Sequence, residues 1–263
     1  MKVIEEYANI EVKQDKGVCI VTMNKPESRN ALAQEMLLEL IHFFRSAKQS
    51  EEIRAIILTG KGSAFCSGGN IRGFKEQTAV EARKKLKFTQ QLVTAIVELD
   101  QPIIAAVNGA AAGAGFSIAL ACDLILASRK AVFSSSFTKI GLVPDLGAAY
   151  FLPKLVGSHI AKQIMLSGEP VSAEKAKSLH IVNELYEEEE LLSEAYKTAE
   201  KLANGASAAI ALTKQLINSS HNSNFKDFLE LEASLQGIAF QTDDLQEGVK
   251  AFFEKRPPSF IGK

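Results

Sequence analysis

Two short segments rich in small residues are places where a ligand can approach the main chain. One is Ala64-Phe65-Cys66-Ser67-Gly68-Gly69-Asn70, and the other is Asn108-Gly109-Ala110-Ala111-Ala112-Gly113-Ala114-Gly115. Each follows an apolar run of buried-strand composition, Ile53 to Thr59 before the first and Ile103 to Val107 before the second. Small side chains leave the backbone open to a ligand, and N–H groups at a helix start favour an anionic oxygen. Two such loops face to face can hold a developing enolate oxygen between two amides. Close packing of a helix on a sheet produces the same composition, so either segment alone is ambiguous. The second does not fit Gly-x-Gly-x-x-Gly, because Gly113-Ala114-Gly115 runs on into Phe116-Ser117-Ile118. It also lacks the lysine of a phosphate loop.

A carboxylate in an unusual setting is the next candidate. Asp145 lies in Gly141-Leu142-Val143-Pro144-Asp145-Leu146-Gly147. Taken by itself this is a turn residue or a helix N-cap. Flanked by Leu142, Val143 and Leu146, it also has the setting for a pKa raised by desolvation, which suits a proton shuttle. Cys66 sits in the first loop, where a buried, inert thiol fits better than a nucleophile. The three cysteines, Cys19, Cys66 and Cys122, are odd in number and far apart, a pattern of reduced thiols and a cytoplasmic setting. The four histidines form no i, i+4 pair, so no metal is expected. A net charge of -1 argues against a nucleic-acid partner. No apolar run reaches membrane-spanning length, and the amino terminus lacks a signal peptide's layout.

The elements that must position these residues follow from periodicity. Ala8 to Gln14 and Val18 to Met23 read as a hairpin around Asp15-Lys16-Gly17. Gln34 to Lys48 has helical spacing, with Met36, Leu37, Leu40 and Ile41 on one face. Strand, loop and helix then recur: Ile103 to Val107, Asn108 to Gly115, Phe116 to Cys122, and a further strand over Asp123 to Ser128. Such alternation predicts an α/β architecture with helices covering sheets. From Ala173 the chain turns to helices with charged faces. Glu187 to Glu190 reads as a solvated helix start ahead of Leu191 to Leu202. Phe225 to Phe253 repeats apolar residues at helical spacing and needs a partner surface, its own core or another subunit. At 263 residues one large domain with an appendage is expected, with residues 1–200 as the core and 201–263 as a helical region.

Six ordered segments together carry a resemblance. They are Asn24-Lys25-Pro26 with Asn30-Ala31-Leu32, Ala64-Phe65-Cys66-Ser67-Gly68-Gly69, Ile104-Ala105-Ala106-Val107-Asn108-Gly109, Ala112-Gly113-Ala114-Gly115, Ala121-Cys122-Asp123, and Gly141-Leu142-Val143-Pro144-Asp145. The terminal Arg256-Pro257-Pro258-Ser259-Phe260 is similar as well. Over nearly its whole length the chain resembles the crotonase superfamily, the enoyl-CoA hydratase/isomerase family. That resemblance implies a spiral of repeated strand-strand-helix units with a C-terminal helical trimerisation region, a homotrimer or dimer of trimers. It implies an acyl-CoA substrate bound in a bent shape, with no cofactor beyond the coenzyme A of the thioester. Gly69 and Ala114 match the positions whose N–H groups hold the thioester oxygen. Ser28, Arg29, Ala31, Ala64 and Ser67 match the nucleotide and pantetheine pocket. Asn70, Ile71, Gly113 and Phe137 complete the substrate-binding set, Asn70 standing where an aspartate is usual.

The family's hydratases carry two glutamates, and at the matching positions this chain has Ser117 and Phe137. Neither is a general base near neutral pH, which disfavours hydration by that route. Ser117 reads as a helix-surface serine, and Phe133 and Phe137 as the wall of an apolar acyl pocket. Asp145 falls where some isomerases of the family keep their carboxylate, and the local sequence is similar to the ring-epoxide isomerases of phenylacetate degradation. One carboxylate suffices to move a proton between two carbons. The expected reaction is therefore isomerisation of an acyl-CoA, a double-bond shift or an epoxide rearrangement, with Asp145 as proton shuttle. Hydration, a catalytically inactive thioester-binding protein, and dehalogenation are the alternatives. The last needs an activating His and usually a Trp, and the chain has no Trp.

Overall fold

The computed structural model describes residues 1–69 and 77–262. The chain opens with β1 (Lys2–Glu5), then the antiparallel pair β2 (Ile10–Asp15) and β3 (Val18–Met23), joined through Lys16 and Gly17 in left-handed conformation. Helix α1 (Gln34–Ala47) lays Met36, Leu37, Leu40, Ile41, Phe43 and Phe44 on the sheet. Parallel strands β4 (Ala55–Gly60), β6 (Ile103–Val107), β8 (Leu124–Ser128) and β11 (Glu184–Tyr186) extend that sheet to seven strands in the order β1-β2-β3-β4-β6-β8-β11. A second sheet of four short strands runs β10-β9-β7-β5, made by β5 (Ala64–Cys66), β7 (Ala110–Ala112), β9 (Val132–Ser134) and β10 (Val171–Ser172).

The repeat is visible in this pairing. β4 passes into β5 and then α2 (Ala79–Val97), β6 into β7 and α3 (Ala114–Ala121), and β8 into β9 and α4 (Ala148–Val156) with α5 (Ser158–Ser167). Each turn leaves one strand in each sheet followed by helix, two helices in the third turn, a spiral of strand-strand-helix units; β10 then leads into the short α6 (Ala173–Ser178). Both faces of the large sheet are buried, so its strands read as continuous apolar runs; all six residues of β4 are buried. Alternate residues divide between two cores. Cys19, Val21, Ile56, Leu58, Ala105 and Val107 face α1 and the second sheet. Ile20, Ala55, Ile57, Ile104 and Ala106 face α7 (Glu188–Ala203), whose Leu191, Ala195, Ala199 and Ala203 pack on them.

Sequence periodicity places most of the large sheet correctly. It reads Asn108 to Gly115 as one loop, whereas Ala110–Ala112 pairs with β9 and β5 as β7, and α3 begins at Ala114 rather than Phe116. Three alanines carry little β-propensity, and neighbouring strands rather than the segment itself decide that conformation. The stretch from Phe225 divides at Thr242, which caps α10 (Asp243–Glu254) after α9 (Phe225–Ala239).

Two polar clamps hold the helical end of the chain to the core. Lys214 on α8 (Ser207–Ser220) is 2.8 Å from the Asp123 carboxylate, which also accepts the Ile103 N–H at 2.7 Å. Burial holds the Asp123 carboxyl above its ordinary range, with Lys214 opposing that rise. Arg54 donates to Ser207 Oγ at 2.9 Å and to the Gly205 carbonyl at 2.8 Å. Removing the Lys214 charge strands a mostly buried carboxylate. Lys214→Met is expected to cost about 2–3 kcal/mol of stability at neutral pH, read from the urea unfolding midpoint.

Candidate active site

The first loop is held open by the turn that precedes α1. Arg29 and Asn30 both adopt left-handed backbone, φ 53° and 55°. Asn30 is fully buried and organises the turn: its Nδ2 donates to the carbonyls of Lys61 (3.0 Å) and Ala64 (2.8 Å), and its Oδ1 accepts from Lys25 N–H (2.9 Å). Ser67 N–H donates to the Arg29 carbonyl at 3.0 Å, and Ser67 Oγ to that of Ser28 at 3.2 Å. Leu32 N–H donates to the Gly68 carbonyl at 2.8 Å, and Ala31 N–H to that of Ser28 at 3.2 Å. The structure thus gathers Ser28, Arg29, Ala31, Ala64 and Ser67 beside Gly68 and Gly69. Asn30, which ties them together, is absent from the sequence-derived set; an Asn in a left-handed turn position was the available signal. Asn70 and Ile71 lie outside the described residues.

The two glycine-rich loops are in contact. A Cβ on Gly115 would lie 2.1 Å from the Cys66 carbonyl oxygen, so only glycine lets α3 approach β5 this closely. Gly68 has φ +106°, and its Cβ position is 3.0 Å from the Ala112 carbonyl oxygen and 3.8 Å from the Ala114 nitrogen. Neither Gly69 N–H nor Ala114 N–H enters a main-chain hydrogen bond among the described residues. Among the described residues no atom lies within 4 Å of the Cβ position on Gly69, its chain neighbours aside. Gly113 is the N-cap of α3, its own N–H held by the Ser134 carbonyl at 2.8 Å. Ala114 is therefore the first amide of a helix whose eight residues are all buried, where the helix dipole favours negative charge.

Ser117 is not on a helix surface. It is fully buried, and its Oγ donates back to the Gly113 carbonyl at 3.2 Å, the habit of a serine in an apolar helix interior. Phe137 is 7 % exposed, and its Cζ and Cε1 lie 3.8 and 4.0 Å from the Cβ position of Gly113. The ring therefore walls the second loop. Its carbonyl accepts the Leu142 N–H at 3.0 Å, which connects this wall to the segment carrying Asp145. Phe133 packs beneath against Phe116, ring centroids 5.5 Å apart.

Asp145 is not a helix N-cap; Gly147 holds that position, without any side-chain cap. Asp145 is half-buried, its Oδ1 is enclosed without a hydrogen-bond partner among the described residues, and burial pushes its carboxyl up to about 6. Of its apolar sequence neighbours, Leu142 and Val143 are exposed, while Leu146 is 1 % exposed. Leu146 has φ 49° and Gly147 φ 82°, two successive left-handed residues that turn the chain sharply after the carboxylate. A buried side chain holding a strained backbone is a pattern of positioned functional residues. Leu146 and Gly147 also border a cavity of about 320 Å³ with Gln90, Val93, Thr94, Val97 and Glu98 of α2. Helix α2 escaped the sequence reading, although its capping box, Thr78 with Glu81, is legible as Thr-x-x-Glu. Burial raises the Cys66 thiol to about 11, so no thiolate is available beside the loop. Among the described residues no group of three or more His, Cys, Asp or Glu is arranged to hold a metal ion.

With this geometry in hand, comparison with known proteins gives a consistent result. The enoyl-CoA hydratase/isomerase family model matches residues 13–263. A protein of Rhodobacter capsulatus named as a probable enoyl-CoA hydratase is 39% identical over 98% of this chain and 99% of its own. The 1,2-epoxyphenylacetyl-CoA isomerase of Escherichia coli is 35% identical over 95% of this chain and 97% of its own. The crystal structure of an enoyl-CoA hydratase from Bacillus anthracis superposes with a TM-score of 0.93 at 29% identity, covering 97% of this chain and 100% of that one. The chain belongs to the enoyl-CoA hydratase/isomerase family, with the crotonase fold. It is an enzyme of that family, whose substrates are acyl-CoA thioesters.

The contact between the loops makes a direct prediction. Gly115→Ala forces Cβ into the Cys66 carbonyl and must push α3 away from β5. Overpacking of this kind costs about 1–3 kcal/mol. Turnover is expected to fall further than stability, measured as kcat on a substrate thioester beside the thermal midpoint.

Proposed function

We propose that the protein is an acyl-CoA isomerase that shifts a double bond, or rearranges a ring epoxide, through an enolate. The Gly69 and Ala114 N–H groups hold the thioester oxygen, each contributing about 3 kcal/mol as charge develops on it. Ser28, Arg29, Ala31, Ala64 and Ser67 hold the coenzyme A portion, Asn70 and Ile71 belong to the substrate-binding set, and Gly113 and Phe137 border the acyl group. No cofactor is needed beyond the coenzyme A of the substrate. In the double-bond shift, the Asp145 carboxylate removes a proton from the carbon next to the thioester carbonyl. The electron pair left behind forms the enolate, conjugated with the existing double bond. The carboxylic acid then gives its proton to the far carbon of that system, and the enolate collapses to the shifted product.

The observation carrying this reading is the isolation of one carboxylate. Among the described residues Asp145 has an enclosed oxygen without a hydrogen-bond partner, and Ser117 and Phe137, which stand where the family's hydratases carry their two glutamates, offer no second acid or base. A single group poised near neutral pH serves removal and return of one proton, whereas positioning and splitting a water across a double bond calls for two. The similarity to an epoxyphenylacetyl-CoA isomerase supports it further. Hydration is the second reading, favoured by the names of several relatives. The same fold suits a homotrimer or a dimer of trimers: Phe225, Phe240, Phe252 and Phe253 on and beside α9 and α10 are exposed and need cover.

Asp145→Asn is expected to lower kcat for isomerisation of a 3-enoyl-CoA by about 10²–10⁴-fold while the Kd for the thioester changes little. Full activity in that variant ends the proposal. In the parent enzyme, kcat/KM should rise with pH and level off above about 6, because the base must be ionised.

The same group makes stability depend on pH. Its carboxyl titrates near about 4 in the unfolded chain and about 6 in the fold. Its proton therefore favours folding below about pH 4, and that contribution is lost as pH rises through about 6. Asp145→Asn mimics the protonated form. It should be more stable than the parent at neutral pH, by about 1 kcal/mol once partial solvent access is allowed for, and equal to it below about pH 4. Thermal melts across that range provide the check.

A further inference from the structure

One buried side chain joins the turn before α1 to the strand that leads to Gly69. We propose that Asn30 is a positioning residue that couples the turn over residues 25–31 to the peptide unit between Gly68 and Gly69. Filling that turn with the nucleotide half of a thioester then sets the amide that receives the thioester oxygen. This rests on the roles given above to Gly69 and to Ser28, Arg29 and Ala31, and it applies to isomerisation and hydration alike.

A peptide unit is planar, so its C=O and N–H point in opposite directions and turn together. The Gly68 carbonyl and the Gly69 N–H belong to one such unit. Leu32 N–H donates to that carbonyl at 2.8 Å, and Leu32 and Gly69 form an isolated parallel bridge. With glycine on both sides, side chains place little restraint on the unit. The Leu32 bond therefore sets where the Gly69 N–H points, and by polarising the unit it also strengthens that N–H as a donor.

Leu32 is placed by Asn30, two residues earlier. The Asn30 side-chain amide is fully buried and makes three bonds: Oδ1 accepts from Lys25 N–H, and Nδ2 donates to the carbonyls of Lys61 and Ala64. Its main-chain N–H donates to the Lys25 carbonyl at 2.9 Å and closes the turn on itself. Ala64 opens β5, the strand that leads to Gly68. Turn and strand are thus joined at one end by Asn30 and at the other by Leu32. A second asparagine holds residues 60–62 from the far side: Asn108 Oδ1 accepts from Gly60 N–H at 3.2 Å, and its Nδ2 donates to the Gly62 carbonyl at 2.8 Å. Asn108 begins the loop that ends at Ala114, so both amides are referred to one frame. Ser28, Arg29 and Ala31 flank Asn30 in that frame. A bound nucleotide that immobilises them fixes the amide as well, and binding energy from a remote part of the substrate then appears in the chemical step as a higher kcat.

The test compares two carriers of one acyl group. The 3-enoyl thioesters of coenzyme A and of pantetheine are turned over by the parent and by two variants. Asn30→Gly suits the left-handed backbone and removes the side chain, whereas Asn30→Asp keeps its shape and loses both donors. In the parent, kcat on the coenzyme A thioester should exceed kcat on the pantetheine thioester by about tenfold or more. In the variants the two values should agree within about twofold, because the frame no longer passes on what the turn binds. Cinnamoyl-CoA gives a second readout in the bound state. Polarisation of its carbonyl moves its absorbance to longer wavelength, and that movement should shrink in both variants at saturation. A residue with a purely structural role lowers the thermal midpoint and leaves the kcat ratio and the spectral movement as in the parent. That result, or equal kcat on the two carriers in the parent, overturns the inference and leaves the isomerase reading intact. If the glycine variant does not fold, judged by its melt, the aspartate variant decides. A parent whose cinnamoyl-CoA spectrum depends on Asn30, but which shifts no double bond, upholds the inference and overturns the isomerase reading.

Discussion

The site depends on two stretches of main chain lying closer together than any side chain permits. Where α3 begins, Gly115 rests against the Cys66 carbonyl, and Gly68 turns its bare Cα toward Ala112 and Ala114. Main-chain groups have fixed geometry and no protonation state to lose. An anion held by two of them is stabilised by the fold itself, with no reorganisation as charge appears. The cost is tolerance. A methyl group at position 115 does not perturb the loops from outside; it occupies the space in which they meet. β5 and β7, the strands that lead into the two loops, pair in parallel within the second sheet and so bring the loops side by side.

Around this fixed frame the protein places one titratable group in an apolar setting. Desolvation raises the Asp145 carboxyl, and among the described residues its enclosed oxygen has no hydrogen-bond partner. The arrangement of its backbone is unusual: a buried leucine in left-handed conformation follows the carboxylate, and a left-handed glycine follows the leucine. The strain of that turn is held by the packing of Leu146 in the main core. Two adjacent residues thus pull in opposite directions, Leu146 buried in the apolar core and the Asp145 carboxylate disfavoured by its own burial.

Much of this was legible in the sequence because the informative residues act locally. A buried parallel strand announces itself as an unbroken apolar run, as Ile103 to Val107 does, and the hairpin around Lys16-Gly17 does so by turn chemistry. The glycine-rich loops and Asp145 were legible as candidates through composition and order. The strand Ala110–Ala112 was not, since alanine has no preference that marks it and only the flanking strands of the second sheet impose the conformation. Ser117 was misplaced to the surface for a similar reason. A helix apolar on every side has no periodicity from which to tell its outer face, and α3 has no outer face. Of the three apolar residues that flank Asp145, Leu142 and Val143 are exposed and Leu146 alone is buried, a difference the sequence does not reveal. Contacts such as Lys214 with Asp123 and Arg54 with Ser207 join residues about a hundred or more positions apart and leave no local trace.

The complete burial of α3 has one more effect. Ions in the surrounding buffer weaken a field only where they can gather, over a Debye length of about 8–10 Å at ordinary ionic strength. None can gather along a helix enclosed from Ala114 to Ala121. The positive end of that helix therefore acts at nearly the same strength in dilute and in concentrated salt. Attraction between the exposed surface and a phosphate-bearing ligand has no such shelter. On the proposed reading, added electrolyte weakens capture of the anionic carrier more than it weakens the bond-making step.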